Sequence, residues 1–186
     1  LANYKNWTSI DTASIAFGYG ISVSAIQLVT AASVIANGGI LMKPYLVQAI
    51  TDQSGEPLKQ FQPQAVRRVL ATKTALTIKT IMKTVTTKGG TGVNAALDGY
   101  TVCGKTGTTR KLDKNGTYSN DRHIASFVGF TPADNPRLAI LVVIDEPKGK
   151  YYGGTVAAPV FRRIAREALN YLNIPPSSGV KRFATS

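Results

Sequence analysis

Gly99-Tyr100-Thr101-Val102-Cys103-Gly104-Lys105-Thr106-Gly107-Thr108-Thr109 is the stretch on which the fold of this chain turns. From Gly99 to Thr106 it satisfies the phosphate-loop pattern G-x-x-x-x-G-K-[ST] in full. Such a loop needs an apolar strand before it and a helix opening at the Lys-Thr pair, so that amides and the helix dipole face a polyphosphate. The surroundings supply neither. Gly89-Gly90-Thr91-Gly92 and Asn94 to Asp98 lie upstream, Tyr-Thr-Val-Cys prefers extended backbone, and Gly107-Thr108-Thr109 has poor helix propensity. Read as a strand, the same residues place Lys105 on one face and Thr106 and Thr108 in neighbouring positions along an edge. Gly107 then lets a second peptide backbone come close, and the hydroxyls and ammonium gather a carboxylate. A Lys-Thr-Gly triplet alone is more simply a strand running into a turn.

The neighbouring sequence is β-rich. Tyr100 to Cys103, Ile124 to Phe130 and Leu138 to Ile144 are separated by Asn115-Gly116 and by Pro132-Ala133-Asp134-Asn135-Pro136, which predicts three consecutive antiparallel strands. LAILVVI from Leu138 has no polar member and reads as a strand covered on both faces, with helices over it. A closing helix is predicted after Pro159, with Phe161, Ile164, Ala165, Ala168 and Leu172 inward and Arg162, Arg163, Arg166 and Glu167 in water. Pro175-Pro176 ends it.

Towards the amino terminus, Val23 to Ala36 is apolar nearly all round, with Ser22 or Ser24 as cap and Asn37-Gly38-Gly39 as stop, and reads as a core helix. Pro44 to Ile50 and Leu58 to Gln62 flank turn residues and read as a small hairpin. Ala75, Ile78, Met82 and Val85 recur at helical spacing with Lys79 and Lys83 opposite, ending at Lys88-Gly89-Gly90.

The 186 residues are 44% apolar, enough to bury a core, and carry a formal charge of +12. One cysteine and one histidine exclude a disulfide scaffold and a structural zinc site. No leader is recognisable after Leu1, and the uncharged stretch Thr12 to Met42 is too interrupted by Gly and polar residues to span a bilayer.

Phe17-Gly18-Tyr19-Gly20-Ile21-Ser22-Val23-Ser24-Ala25-Ile26-Gln27-Leu28, Ala36-Asn37-Gly38-Gly39, Gly104-Lys105-Thr106-Gly107-Thr108-Thr109, Lys150-Tyr151-Tyr152-Gly153-Gly154 and Ala158-Pro159-Val160-Phe161 follow one another in this order. Together they resemble the carboxy-terminal part of a class B penicillin-binding protein, from about Ala16 to Pro175. The Tyr-Tyr-Gly-Gly and Ala-Pro-Val-Phe stretches look most like the division-specific transpeptidases, with elongation and sporulation relatives still open.

The resemblance implies a serine D,D-transpeptidase that cross-links peptidoglycan stem peptides and is acylated by β-lactams, with no metal or organic cofactor. Its expected setting is the extracytoplasmic face of the bacterial membrane, reached through an amino-terminal anchor absent from this sequence; cell-division proteins are further expected partners. It assigns Lys105 and Thr106 to catalysis and Thr106, Gly107, Thr108, Arg110, Tyr151 and Tyr152 to substrate binding. The Thr108 N–H becomes one of two oxyanion-hole donors. The family also uses an S-x-x-K nucleophile motif and an S-x-N motif ahead of the strand. Neither precedes Lys105 here, so the chain is expected to be inactive alone. Ser178-Gly179-Val180-Lys181, Tyr118-Ser119-Asn120 and Tyr171-Leu172-Asn173 match as letters but follow the strand.

The remaining residues have plainer readings. Cys103 is a small buried hydrophobe, His123 is structural or surface, and Tyr4 and Trp7 pack on the fold or on a missing segment. The cations form no aromatic-interleaved stripe, which argues against nucleic acid and fits anionic envelope polymers. The expected fold is therefore α+β: a mainly antiparallel sheet with helices, a partial transpeptidase domain over residues 1–176 and a disordered tail over 177–186. One further pair of strands in the family domain lies outside this sequence, which leaves an exposed edge, a partner in the gap, or an altered arrangement. Two alternatives stand beside it: a phosphate-loop triphosphatase, with a helix from Lys105, and a non-catalytic wall- or partner-binding module.

Overall fold

The computed structural model describes residues 4–16, 18, 21–113 and 115–177. In chain order come α1 (Ser9–Ala16), α2 (Ala25–Ala36), β1 (Ile40–Met42), β2 (Ala49–Thr51), β3 (Pro57–Gln60), β4 (Ala65–Arg68), α3 (Thr72–Thr84), β5 (Cys103–Leu112), β6 (Tyr118–Thr131), β7 (Leu138–Asp145), α4 (Gly153–Val156) and α5 (Ala158–Tyr171). The stretch that was open to two readings is a strand, and no helix begins at Lys105. This removes the triphosphatase.

β5, β6 and β7 form one antiparallel sheet in that order. Phe127 and Phe130 project from opposite faces of β6, and each organises a core. Phe127 meets the Phe161 ring edge-on at 4.8 Å, over Val142, Ala165 and Leu169. Phe130 packs with Met82, Cys103 and Ala133, joined by Ile35 and Ile78 from α2 and α3. Full burial of each ring contributes about 1.5–3 kcal/mol. The glycines of the phosphate-loop pattern have a packing explanation: a Cβ on Gly104 would stand 2.3 Å from the Phe127 ring, and Gly99 turns the chain at φ +83°.

The first β-rich run proves displaced. Tyr100 makes only an isolated bridge to Leu97, and the strand starts at Cys103, because pairing with β6 from Cys103–Phe130 to Arg110–His123 decides its span. Asp98 and Gly99 form the turn that Leu97 and Tyr100 close, and Thr101 and Val102 lie outside the strand.

α2 opens on a capping box between Ser24 and Gln27. Its burial is less than its composition suggests, with only Ala32 and Val34 buried and Ile26 exposed. One face lies on β1 and the sheet; the other, with Leu41, Val69 and Leu70, borders an apolar groove of about 540 Å³. The small hairpin forms as β2 and β3, although Pro44 to Gln48 stays outside it. β1 pairs with β4. Both α2 and α5 lie against β7, yet only Val142 is buried and Val143 is half exposed, since β7 pairs on one side only.

In α5 the inward row is Ala158, Phe161, Ala165 and Leu169; Ile164 and Leu172 are exposed, because a four-residue step drifts the stripe past them. α3 does not hold its lysines away from the protein: Lys83 pairs with Asp134 at 2.7 Å, and the Lys79 ammonium lies 6.0 Å from the Phe130 ring. Tyr4 is exposed, while Trp7 is half-buried. Of the expected tail, Ser177 donates its N–H to the Gly99 carbonyl at 2.8 Å; residues 178–186, with the Ser178–Lys181 match, lie outside the described residues, as do Phe17, Tyr19 and Gly20.

Candidate active site

β5 carries Lys105, Thr106, Gly107, Thr108 and Arg110 along one extended backbone. β6 is its only partner among the described residues, so its outer edge is unpaired. Thr106 and Thr108 share a face. The Thr106 hydroxyl meets that of Thr91 at 3.1 Å, and Thr108 Oγ1 accepts the N–H of Gly153 at 3.1 Å. The exposed Lys105 side chain folds back to donate to the Thr106 carbonyl at 2.7 Å.

Gly107 is demanded from inside the protein. A Cβ there would come within 2.4 Å of Ser126 Oγ, and one on Gly153 would come within 2.5 Å of the Gly107 carbonyl. The expected room beside Gly107 is thus shared with Ser126 and with the tight seat of α4 against β5. Asn94 fastens the same turn by donating to the Gly154 carbonyl at 2.8 Å.

Tyr151 and Tyr152 reach this edge through their neighbour Gly153. Their rings lie 4.6 Å apart, and Tyr151 stacks on His123 at 4.1 Å with planes 15° apart. His123 faces Arg110 across the strands, and Arg110 donates to Asn120 at 3.4 Å. His123 is buried, so its structural reading holds, and it serves as the floor of the tyrosine pair. Thr91 and His123 were not singled out by the sequence for this site; the Arg110–His123 register is the signal that links His123 to it.

The Cys103 thiol donates to the Lys79 carbonyl, and burial pushes it up to about 11. It is a buried hydrophobe, as expected. The Tyr118–Asn120 match sits at the far end of the hairpin, where Tyr118 faces Leu112, and Tyr171–Asn173 ends α5. Asn120 meets Arg110, but neither match is paired with Lys105.

Residues 2–166 match the family described as the penicillin binding protein transpeptidase domain. The chain belongs to that family. It is 39% identical over 190 residues to the probable peptidoglycan D,D-transpeptidase PenA of Neisseria flavescens, covering 100% of this chain and 44% of that protein. Stage V sporulation protein D of Bacillus subtilis is 42% identical over 169 residues, covering 90% of this chain and 26% of that one. Among solved structures, penicillin-binding protein 3 of Mycobacterium tuberculosis complexed with ampicillin superposes with a TM-score of 0.82 at 28% identity, over 98% of this chain and 42% of that chain. The chain thus spans less than half the length of the curated relatives it matches. The α+β fold expected from the ordered motifs is the fold of the transpeptidase-domain structures that the chain matches.

Proposed function

We propose that the chain forms one wall of the active site of a D,D-transpeptidase that cross-links peptidoglycan. The observation that carries this reading is β5 itself: Lys105 to Thr108 run extended along an unpaired edge, with the Tyr151–Tyr152 turn pinned against it. A stem peptide lies along that edge as an added strand, and Thr106, Thr108 and the Lys105 ammonium take its terminal carboxylate. Arg110, Tyr151 and Tyr152 flank it.

In the reaction a serine attacks the penultimate D-Ala carbonyl, D-Ala leaves with a proton, and an amine of a neighbouring strand takes the acyl group from the serine. The Thr108 N–H supplies one oxyanion donor; a donor of this kind is worth roughly 10²–10³ in rate. These residues hold no S-x-x-K ahead of Lys105, so the nucleophile comes from outside them and the chain alone does not acylate. β-Lactams are acylating mimics of the same peptide, in keeping with the ampicillin complex of the M. tuberculosis protein. The reaction's setting is the outer face of the bacterial cytoplasmic membrane, and division proteins are the partners that the Tyr-Tyr-Gly-Gly stretch favours.

Fusing the preceding part of the PenA transpeptidase domain to this chain tests the assignment. The fusion is expected to take a fluorescent penicillin covalently, and Lys105→Ala is expected to lose that label. Labelling that survives Lys105→Ala unchanged refutes the role given to β5.

A further inference from the structure

Past Ile124 and Asp145, the last pair joining β6 to β7, the β5–β6 hairpin runs on without a third strand. Arg110 stands at the root of this extension. Where β7 stops, the chain enters the segment 146–152 that carries Tyr151 and Tyr152. Glu146 occupies the junction at φ +50°, a left-handed conformation that long side chains seldom adopt. Its N–H donates to the His123 carbonyl at 2.9 Å. Its Oε1 receives Lys111 of β5 at 2.9 Å and faces Arg122 of β6 at 3.6 Å.

Two further carboxylates finish the network. Asp145 also holds Lys111 at 3.0 Å, and Asp113 holds Arg122. Signs alternate along Asp145, Lys111, Glu146, Arg122 and Asp113. The Lys111 ammonium beside Glu146 lowers that carboxyl below its usual range, and Glu146 in turn raises Lys111. Glu146 reaches both β5, through Lys111, and β6, through Arg122, from the root of the tyrosine segment. Lys111 adjoins Arg110, and Arg122 adjoins His123, on which Tyr151 stacks.

We propose that Glu146 is a positioning residue: it ties the hairpin extension to the 147–152 segment, so that Arg110, Tyr151 and Tyr152 stand as one wall along the β5 edge. Ion pairs this exposed add little to global stability, so their service is local order. The consequence for a bound peptide rests on the function proposed above; the positioning itself does not.

His123 is the chain's single histidine, so its ring-proton resonance reports the stack with Tyr151 without overlap. In Glu146→Gln that resonance is expected to move downfield, out of the shielding of the Tyr151 ring. Amide exchange over 109–123 and 147–152 is expected to speed about tenfold, while 125–142 keeps its protection. Asp145→Asn, which removes only a Lys111 partner, is expected to leave His123 in place. An unmoved His123 signal in Glu146→Gln overturns the proposal, as does exchange that quickens evenly over the whole sheet or an equal His123 shift in Asp145→Asn. Should Glu146→Gln not fold, salt near 1 M, which screens such pairs to about 3 Å, must move the wild-type His123 signal with the far-ultraviolet spectrum unchanged; a fixed signal is then the refutation. Neither arm involves a substrate, so failure of the transpeptidase reading leaves the result standing.

Discussion

The N–H of Gly153 donates to the hydroxyl oxygen of Thr108 at 3.1 Å, joining the turn after the paired tyrosines to the strand that carries Lys105. The two residues are far apart in sequence, and the bond makes the position of Tyr152 a consequence of β5. Thr108 therefore holds the turn, and in the function proposed above it also meets the ligand.

Thr108→Val removes the acceptor while keeping the shape. A half-buried amide left unpaired costs about 1–3 kcal/mol, so the urea midpoint is expected to fall, and Thr108→Ser is expected to restore most of it. Equal midpoints for the Val and Ser variants would show that Gly153 finds another acceptor.

Gly153→Ala sets a methyl 2.3 Å from the Ser126 carbonyl oxygen, and Gly104→Ala sets one at the same distance from the Phe127 ring. The first obstacle is backbone and the second a ring fixed in the core. Overpacking of this kind costs about 1–3 kcal/mol, and Gly153→Ala is expected to be the more damaging of the two because a carbonyl has no rotamer to escape into. Thermal melts of both variants order them directly.

Cys103 is wholly buried and its thiol is held at about 11. Against an ordinary thiol near 9, this leaves about a hundredfold less thiolate at pH 8, so alkylation by iodoacetamide is expected to be at least that much slower than for a free cysteine. The folded state holds the proton more tightly than the unfolded one. The stability tied to it is therefore complete below the unfolded value and is lost as pH rises towards 11. Rapid alkylation of folded protein at pH 8 would contradict the burial.

Much of this architecture is readable in the residues, and the failures have local causes. Strands β6 and β7 announce themselves through apolar runs bounded by Pro, Asn and Gly. β5 is composed largely of Gly, Lys, Thr and Arg, so its span depends on the partner strand rather than on propensity, and the more apolar Tyr100 to Cys103 attracts the assignment instead. The β1–β4 pair joins Ile40–Met42 to Ala65–Arg68 across a hairpin, a non-local contact with no signature in either segment. Lys105 to Arg110 and the two tyrosines are legible as motif residues. Thr91 and His123 become visible only through pairing and packing.

In the function proposed above, the edge of β5 receives the acyl-donor peptide while the nucleophile lies elsewhere. Nuclear magnetic resonance of the 186-residue chain titrated with ampicillin, followed by intact mass, addresses both halves at once. The expected result is amide shifts centred on Thr106, Gly107, Thr108 and Arg110, abolished by Lys105→Ala, with the mass unchanged. A covalent adduct on any serine of the chain, or shifts clustered away from β5, would contradict it.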